Sequence, residues 1–157
     1  SYAIYFFPEI IKRISRILKV DGHFIAITHA IPHIPEFISY VRGILKRNGL
    51  IITSDLPYES LLSRFSDRNG HELLHPYFGG IKMLNYNARL SFGEDEHDDL
   101  ISYFNFKHSF FIPEAIDPDD ELHRKVTSGI KDDLKARQGL DITKNDAIFV
   151  CTNPYKI

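Results

Sequence analysis

An α/β fold is what this chain predicts, and three features carry the expectation. Amphipathic stretches come with recognisable helix starts. A short apolar run, too short for a helix, lies between two of them, and the later strands lack the spacing of a β-meander. The first helix is expected from Pro8 to about Lys19: Pro8 suits the first helical position, and Ile10, Ile11, Ile14, Ile17 and Leu18 recur at helical spacing. Lys12, Arg13, Arg16 and Lys19 cover the other face, and Asp21-Gly22 turns the chain. His23 to Thr28 then reads as a strand buried on both faces, the pattern of a parallel strand.

The next helix is expected from Pro35 to Arg47, with Phe37, Ile38, Val41, Ile44 and Leu45 buried and Asn48-Gly49 as its stop. A weaker one follows from Pro57 to Arg68, with Tyr58, Leu61, Leu62 and Phe65 on one side. From Lys82 to Phe92 apolar and polar residues alternate, which predicts a half-buried strand. Glu94 to Phe104 is acidic-fronted and helical, and Lys107 to Ile112 is strand-like. Asp117 and Pro118 open a long helix whose apolar ridge is Leu122, Val126, Ile130 and Leu134. Ala147 to Cys151 closes the chain as a buried strand. Neither repeats nor a linker divide residues 1–157, so one domain is expected.

Composition excludes several classes. Hydrophobic residues make up 43% and charged ones 25%, which is globular rather than disordered. A membrane span would need some 18 consecutive apolar residues, and the sequence has no such run. The opening segment lacks the pattern of a secretory signal. A net charge of −2 does not fit a dedicated nucleic-acid binder. The single cysteine, Cys151, allows neither an internal disulfide nor a cysteine zinc cluster, which suits a reducing cytoplasm. The opening run Tyr2 to Phe7 reads as the interior of a folded element, so the chain is expected to be part of a longer protein whose sheet it does not complete.

His71-Glu72-Leu73-Leu74-His75 matches the H-E-x-x-H pattern of zinc hydrolases. The chemistry needs both histidines on one face of a long helix. Gly70 and Pro76 bracket the motif too closely for that, and no third ligand stands out. No metal ligand is assigned, and a zinc hydrolase stays as a remote alternative. His29 and His33 flank Ile31-Pro32 and so do not share a helix. Thr28 and His29 sit at the carboxyl end of the first strand, outside which open α/β sheets bind ligands, the alternative being that the two histidines are ordinary surface residues in a loop. No G-x-G, Walker or nucleophile-elbow pattern occurs.

The stretch Tyr2-Ala3-Ile4-Tyr5-Phe6-Phe7, followed by Arg16, Leu18, Lys19, Gly22 and the strand to Ile27, resembles the second half of class I S-adenosylmethionine-dependent methyltransferases. Val20 and Asp21 replace the Pro and first Gly usual in the family's turn, and Asp-Gly still makes it. Ala88 to Phe92, Leu100 to Phe104 and Phe110-Phe111 look like the substrate side of some small-molecule members. The resemblance implies a partial Rossmann-like sheet with flanking helices and an antiparallel last strand, Ala147 to Cys151. It implies a chain that forms the substrate-side part, with S-adenosylmethionine held by residues of the parent protein and not by this chain. His29 is the candidate base, and Tyr2, Tyr5, Thr28 and His33 are the candidate cleft residues. A small-molecule methyl acceptor is the expected partner. A non-catalytic module that self-associates through an exposed sheet edge is the alternative.

Overall fold

The computed structural model describes residues 3–49, 56–111 and 121–156, without the side chains of His108 and Phe111. In chain order the elements are α1 (Ile10–Ile17), β1 (Phe24–His29), α2 (Pro35–Arg47), α3 (Pro57–Arg64), α4 (Gly70–Leu74), β2 (Phe78–Phe92), α5 (His97–Phe106), α6 (His108–Phe111), α7 (Glu121–Arg137) and β3 (Leu140–Pro154). The three strands form one sheet in the order β1-β3-β2. β1 runs antiparallel to β3, with Phe24 opposite Cys151 and His29 opposite Asp146. β2 is also antiparallel to β3: Gly80 lies against Thr152, and the Ser91 hydroxyl donates to Asp141 at 2.6 Å.

The residues group into two compact units: 1–33, 60–88 and 144–157 form the first, 34–59 and 89–143 the second. The first is built around Ile4, Ile11, Phe24, Ala26, Phe65, Leu74, Phe78, Ala147, Phe149 and Cys151. Only Ile11, Ile14 and Leu18 of the predicted α1 stripe face this core, because the 100° step places Ile10 and Ile17 outward, 42% and 77% exposed. α1 also ends at Ile17, where Leu18 turns extended. The Lys156 ammonium donates to the carbonyls of Ser15, Arg16 and Leu18, placing a cation at the helix C-terminus.

β1 departs from the expectation of a parallel strand buried on both faces. It is an edge of the described sheet and pairs antiparallel; the face carrying Phe24, Ala26 and Thr28 is buried throughout, whereas on the other Ile25 is 50% exposed, Ile27 half-buried and His29 buried. The expected antiparallel last strand is observed as β3. Cys151 in β3 is fully buried, and burial pushes its thiol up from 9.0 to about 12. A raised thiol contributes stability that is complete below the unfolded value near 9.0 and disappears as pH rises through about 12. Native protein at about pH 8 should therefore resist iodoacetamide until denaturant opens the core. Rapid native labelling would contradict this placement.

In the second unit α7 packs against α2 and α5. Val126, Ile130 and Leu134 are fully buried, as are Phe37, Val41, Ile44 and Leu45 of α2. Tyr40, absent from the predicted stripe, is buried too, and its hydroxyl donates to the Ile130 carbonyl at 2.8 Å. The Glu59 carboxylate accepts from the Leu56 amide at 2.7 Å and from Arg42 at 2.6 Å, which fixes the start of α3. Gly139 (φ +119) ends α7 where a Cβ would meet the Phe92 carbonyl oxygen at 2.7 Å.

Two element assignments differ. Lys107 to Ile112 was expected to be a strand, and its described part is the helix α6. The helical ladder continues into it, with the Lys107 amide bonded to Tyr103 and Phe104 and the Phe110 amide to Lys107. β2 starts earlier than Lys82, and its alternation holds only from Ala88 to Phe92; Met83, Leu84 and Tyr86 are exposed on an edge strand. The expected cap at Asp117 and Pro118 lies outside the described residues.

Candidate functional site

β1 ends on Thr28 and His29, and the antiparallel register sets Asp146 of β3 directly across from His29. Opposed residues in an antiparallel pair project to the same face, so the two side chains meet. His29 Nδ1 lies 2.7 Å from Asp146 Oδ1, with the residues 7% and 1% exposed. An ionised carboxylate only accepts, so Nδ1 carries the proton and donates it. Nε2 is then the nitrogen through which this ring gains or loses a proton. Lys144 Nζ, 3.5 Å from Asp146 Oδ2, adds positive charge on the other side of the carboxylate.

The next residues fold back over this pair. The Ala30 amide donates to the Asn145 carbonyl at 3.0 Å, and the Ile31 amide to Asp67 at 2.8 Å; the Ile31–Pro32 peptide is cis. This brings His33 to the same carbonyl, with Nδ1 2.9 Å from the oxygen of Asn145. A carbonyl cannot donate, so His33 also holds its proton on Nδ1. The His33 ring stacks on that of His29 with centroids 3.7 Å apart and planes at 30°. Its Nδ1 is 3.9 Å from Asp146 Oδ1.

Burial first, and the neighbouring His29 second, lower His33 from 6.5 to about 3, against the opposing pull of the Asn145 carbonyl and Asp146. Two stacked imidazolium rings at this spacing would repel strongly in so buried a place, which keeps His33 neutral.

Of the other residues singled out in the sequence, Tyr5 sits beside the cluster, its ring 5.8 Å from that of His29. Burial, and then the charge of Asp146, hold its phenol above the ordinary value of 10.0, so it stays protonated. Thr28 is fully buried, and its hydroxyl donates to the Phe65 carbonyl at 2.8 Å, so that group serves the fold. Tyr2 lies outside the described residues. The reading of His29 and His33 as surface loop histidines is overturned by their burial. His71 and His75, with ring centroids 6.0 Å apart, and Glu72 are exposed on and just after the five-residue α4. Asp146 and Asn145 escaped the sequence reading. Their only trace there was a polar pair directly before the apolar run Ala147 to Cys151.

Among the described residues, His29, His33 and Asp146 are the one group of three possible ligands whose atoms lie within 4.8 Å of one another. A groove of about 280 Å³ in the second unit is lined by Glu36, Tyr40, Arg47, Arg137 and Asp141 among others. Its arginines are engaged, Arg47 with Asp133 and Arg137 over the Tyr40 ring at 5.5 Å. None of the described helices is long and apolar enough to cross a membrane. No protein-family model and no curated protein matches the chain.

Proposed function

We propose that this chain is the substrate-side part of a class I S-adenosylmethionine-dependent methyltransferase acting in the cytoplasm on a small-molecule acceptor, and that His29 is its base. The observation that carries the reading is the buried 2.7 Å pair of His29 and Asp146 at the carboxyl end of β1. The antiparallel last strand adds support.

On this reading S-adenosylmethionine is held by residues of the parent protein and not by this chain. The glycine pair Gly79-Gly80 lies within β2, where a Cβ on Gly80 would meet the Thr152 hydroxyl at 2.3 Å; it serves close strand packing. The chain's own contribution is therefore the proton half of the reaction. An acceptor hydroxyl or amine releases its proton to His29 Nε2 as its lone pair becomes the nucleophile. Asp146 keeps Nδ1–H directed and stabilises the imidazolium that forms, and His33, stacked and neutral, adds no opposing charge.

Calorimetry on this chain with S-adenosylmethionine should show no micromolar binding; such binding would overturn the division of labour. In the protein that carries the cofactor-binding half as well, His29→Gln should lower methyl transfer about 100-fold or more while cofactor affinity stays unchanged. Transfer at the unaltered rate would remove His29 from the mechanism.

A further inference from the structure

The atoms that meet at the His29 cluster are four, drawn from two segments of the chain. His29 Nδ1 and Asp146 Oδ1 are 2.7 Å apart, His33 Nδ1 and Asp146 Oδ1 3.9 Å, and His33 Nδ1 and the Asn145 carbonyl oxygen 2.9 Å. Ligands at zinc bond lengths of about 2.0–2.1 Å in tetrahedral array stand roughly 3.3–3.4 Å from one another. The observed separations to Asp146 and Asn145 bracket that value, and the two rings, now stacked at 3.7 Å, would have to swing apart to turn both Nδ1 atoms onto an ion. Two imidazoles and one carboxylate suit borderline divalent ions such as zinc, and select against calcium or magnesium, which prefer all-oxygen shells.

We propose that His29 Nδ1, His33 Nδ1 and Asp146 Oδ1 form a binding site for a divalent transition-metal ion, zinc being the test ion. The ion takes the place now held by the two Nδ1 protons. Each proton moves to Nε2 of its own ring, so both imidazoles remain neutral and the charge change is that of the ion alone. Asp146 supplies the one negative ligand, and the Asn145 carbonyl or a water completes the shell. Lys144 Nζ, 3.5 Å from Asp146 Oδ2 and on a partly exposed side chain, is the charge that opposes the ion.

This inference goes beyond the methyltransferase reading and stands without it. The two meet in one consequence. An ion on Nδ1 leaves the His29 proton on Nε2, the nitrogen that must accept a proton in the proposed reaction, so the loaded protein is switched off as a base.

The test is zinc titration of this chain by calorimetry, with nitrogen NMR of the imidazole rings alongside. One equivalent of zinc is expected to bind. The Nδ1 resonances of His29 and His33 should move to the metal-bound range and the protons to Nε2. Asp146→Asn should weaken binding at least about tenfold, and the double variant His71→Gln/His75→Gln should bind as the parent does. The NMR measurement on the unaltered chain keeps the test decisive if Asp146→Asn fails to fold. Absence of stoichiometric binding, binding that follows His71 and His75, or zinc bound with both Nδ1 resonances unmoved would each overturn the proposal.

Discussion

On the proposed methyltransferase reading, Asp146→Asn should reduce methyl transfer in the parent protein by about 10²–10⁴-fold, with little change in cofactor affinity. The substitution is close to isosteric and keeps β3 in register with β1, so the loss is electrical and tautomeric. An asparagine amide can donate to Nδ1, which would push the His29 proton onto Nε2 and occupy the nitrogen that has to accept. If the oxygen of the amide faces the ring instead, the geometry survives but the negative charge that stabilises the imidazolium does not. Either outcome weakens the base. The Lys144 ammonium, 3.5 Å from the carboxylate, would lose its partner too, and its remaining positive charge would disfavour a protonated His29 further. Assays at saturating acceptor and cofactor, paired with calorimetry for the cofactor, separate this from a folding defect. A variant with unimpaired turnover would show that Asp146 does not act through His29.

Phe149→Ala is expected to be the most damaging change to the fold, costing about 3–5 kcal/mol of unfolding free energy. Phe149 is fully buried at the centre of the first core, its ring edge-on to Phe65 at 5.6 Å. It also lies over Gly70: a Cβ on that glycine would come within 2.5 Å of the Phe149 ring. Gly70, the first residue of α4, leaves room for the ring. Gly70→Ala should be destabilising by about 1–3 kcal/mol through overpacking. Because the ring is what the new methyl strikes, Phe149→Leu in the same chain should recover part of that loss. Urea unfolding of the single and double variants measures all three, and strict additivity of the two changes would contradict the contact.

Much of this fold was legible because helix periodicity and start signals are local. Pro35, the stripe from Phe37 to Leu45 and the stop at Asn48-Gly49 give α2 at its observed bounds, and the ridge Val126, Ile130 and Leu134 is buried as its spacing implies. Strand pairing is not local. An apolar run such as Phe24 to Thr28 looks the same whether its neighbour is parallel or antiparallel, and only the register shows that Ile25 faces outward. The aromatic run after Lys107 has no period that separates strand from helix, and hydrogen bonds from the preceding turn decide for α6.

The site was half visible for the same reason. Its histidines were found through their position at the end of an apolar strand, a local cue. The carboxylate that His29 meets lies 117 residues away in the chain and becomes its partner only through the pairing of β1 with β3. Likewise, nothing in the pattern around Ile31-Pro32 indicates that the chain folds back to stack His33 on His29. The H-E-x-x-H pattern shows the reverse case. Its spacing is local and complete, yet the helix that carries it is five residues long and its two histidines and glutamate lie in solvent.

The central claim is that His29 is held by Asp146 through Nδ1 and exchanges protons at Nε2, with His33 neutral beside it. Long-range nitrogen–proton correlation NMR of the metal-free chain at neutral pH reads these protonation sites directly. The account predicts a proton on Nδ1 of both His29 and His33, strongly deshielded at His29 by its carboxylate, and an unprotonated Nε2 on His33. A proton resting on Nε2 of His33, or a His29 Nδ1 without one, would contradict it.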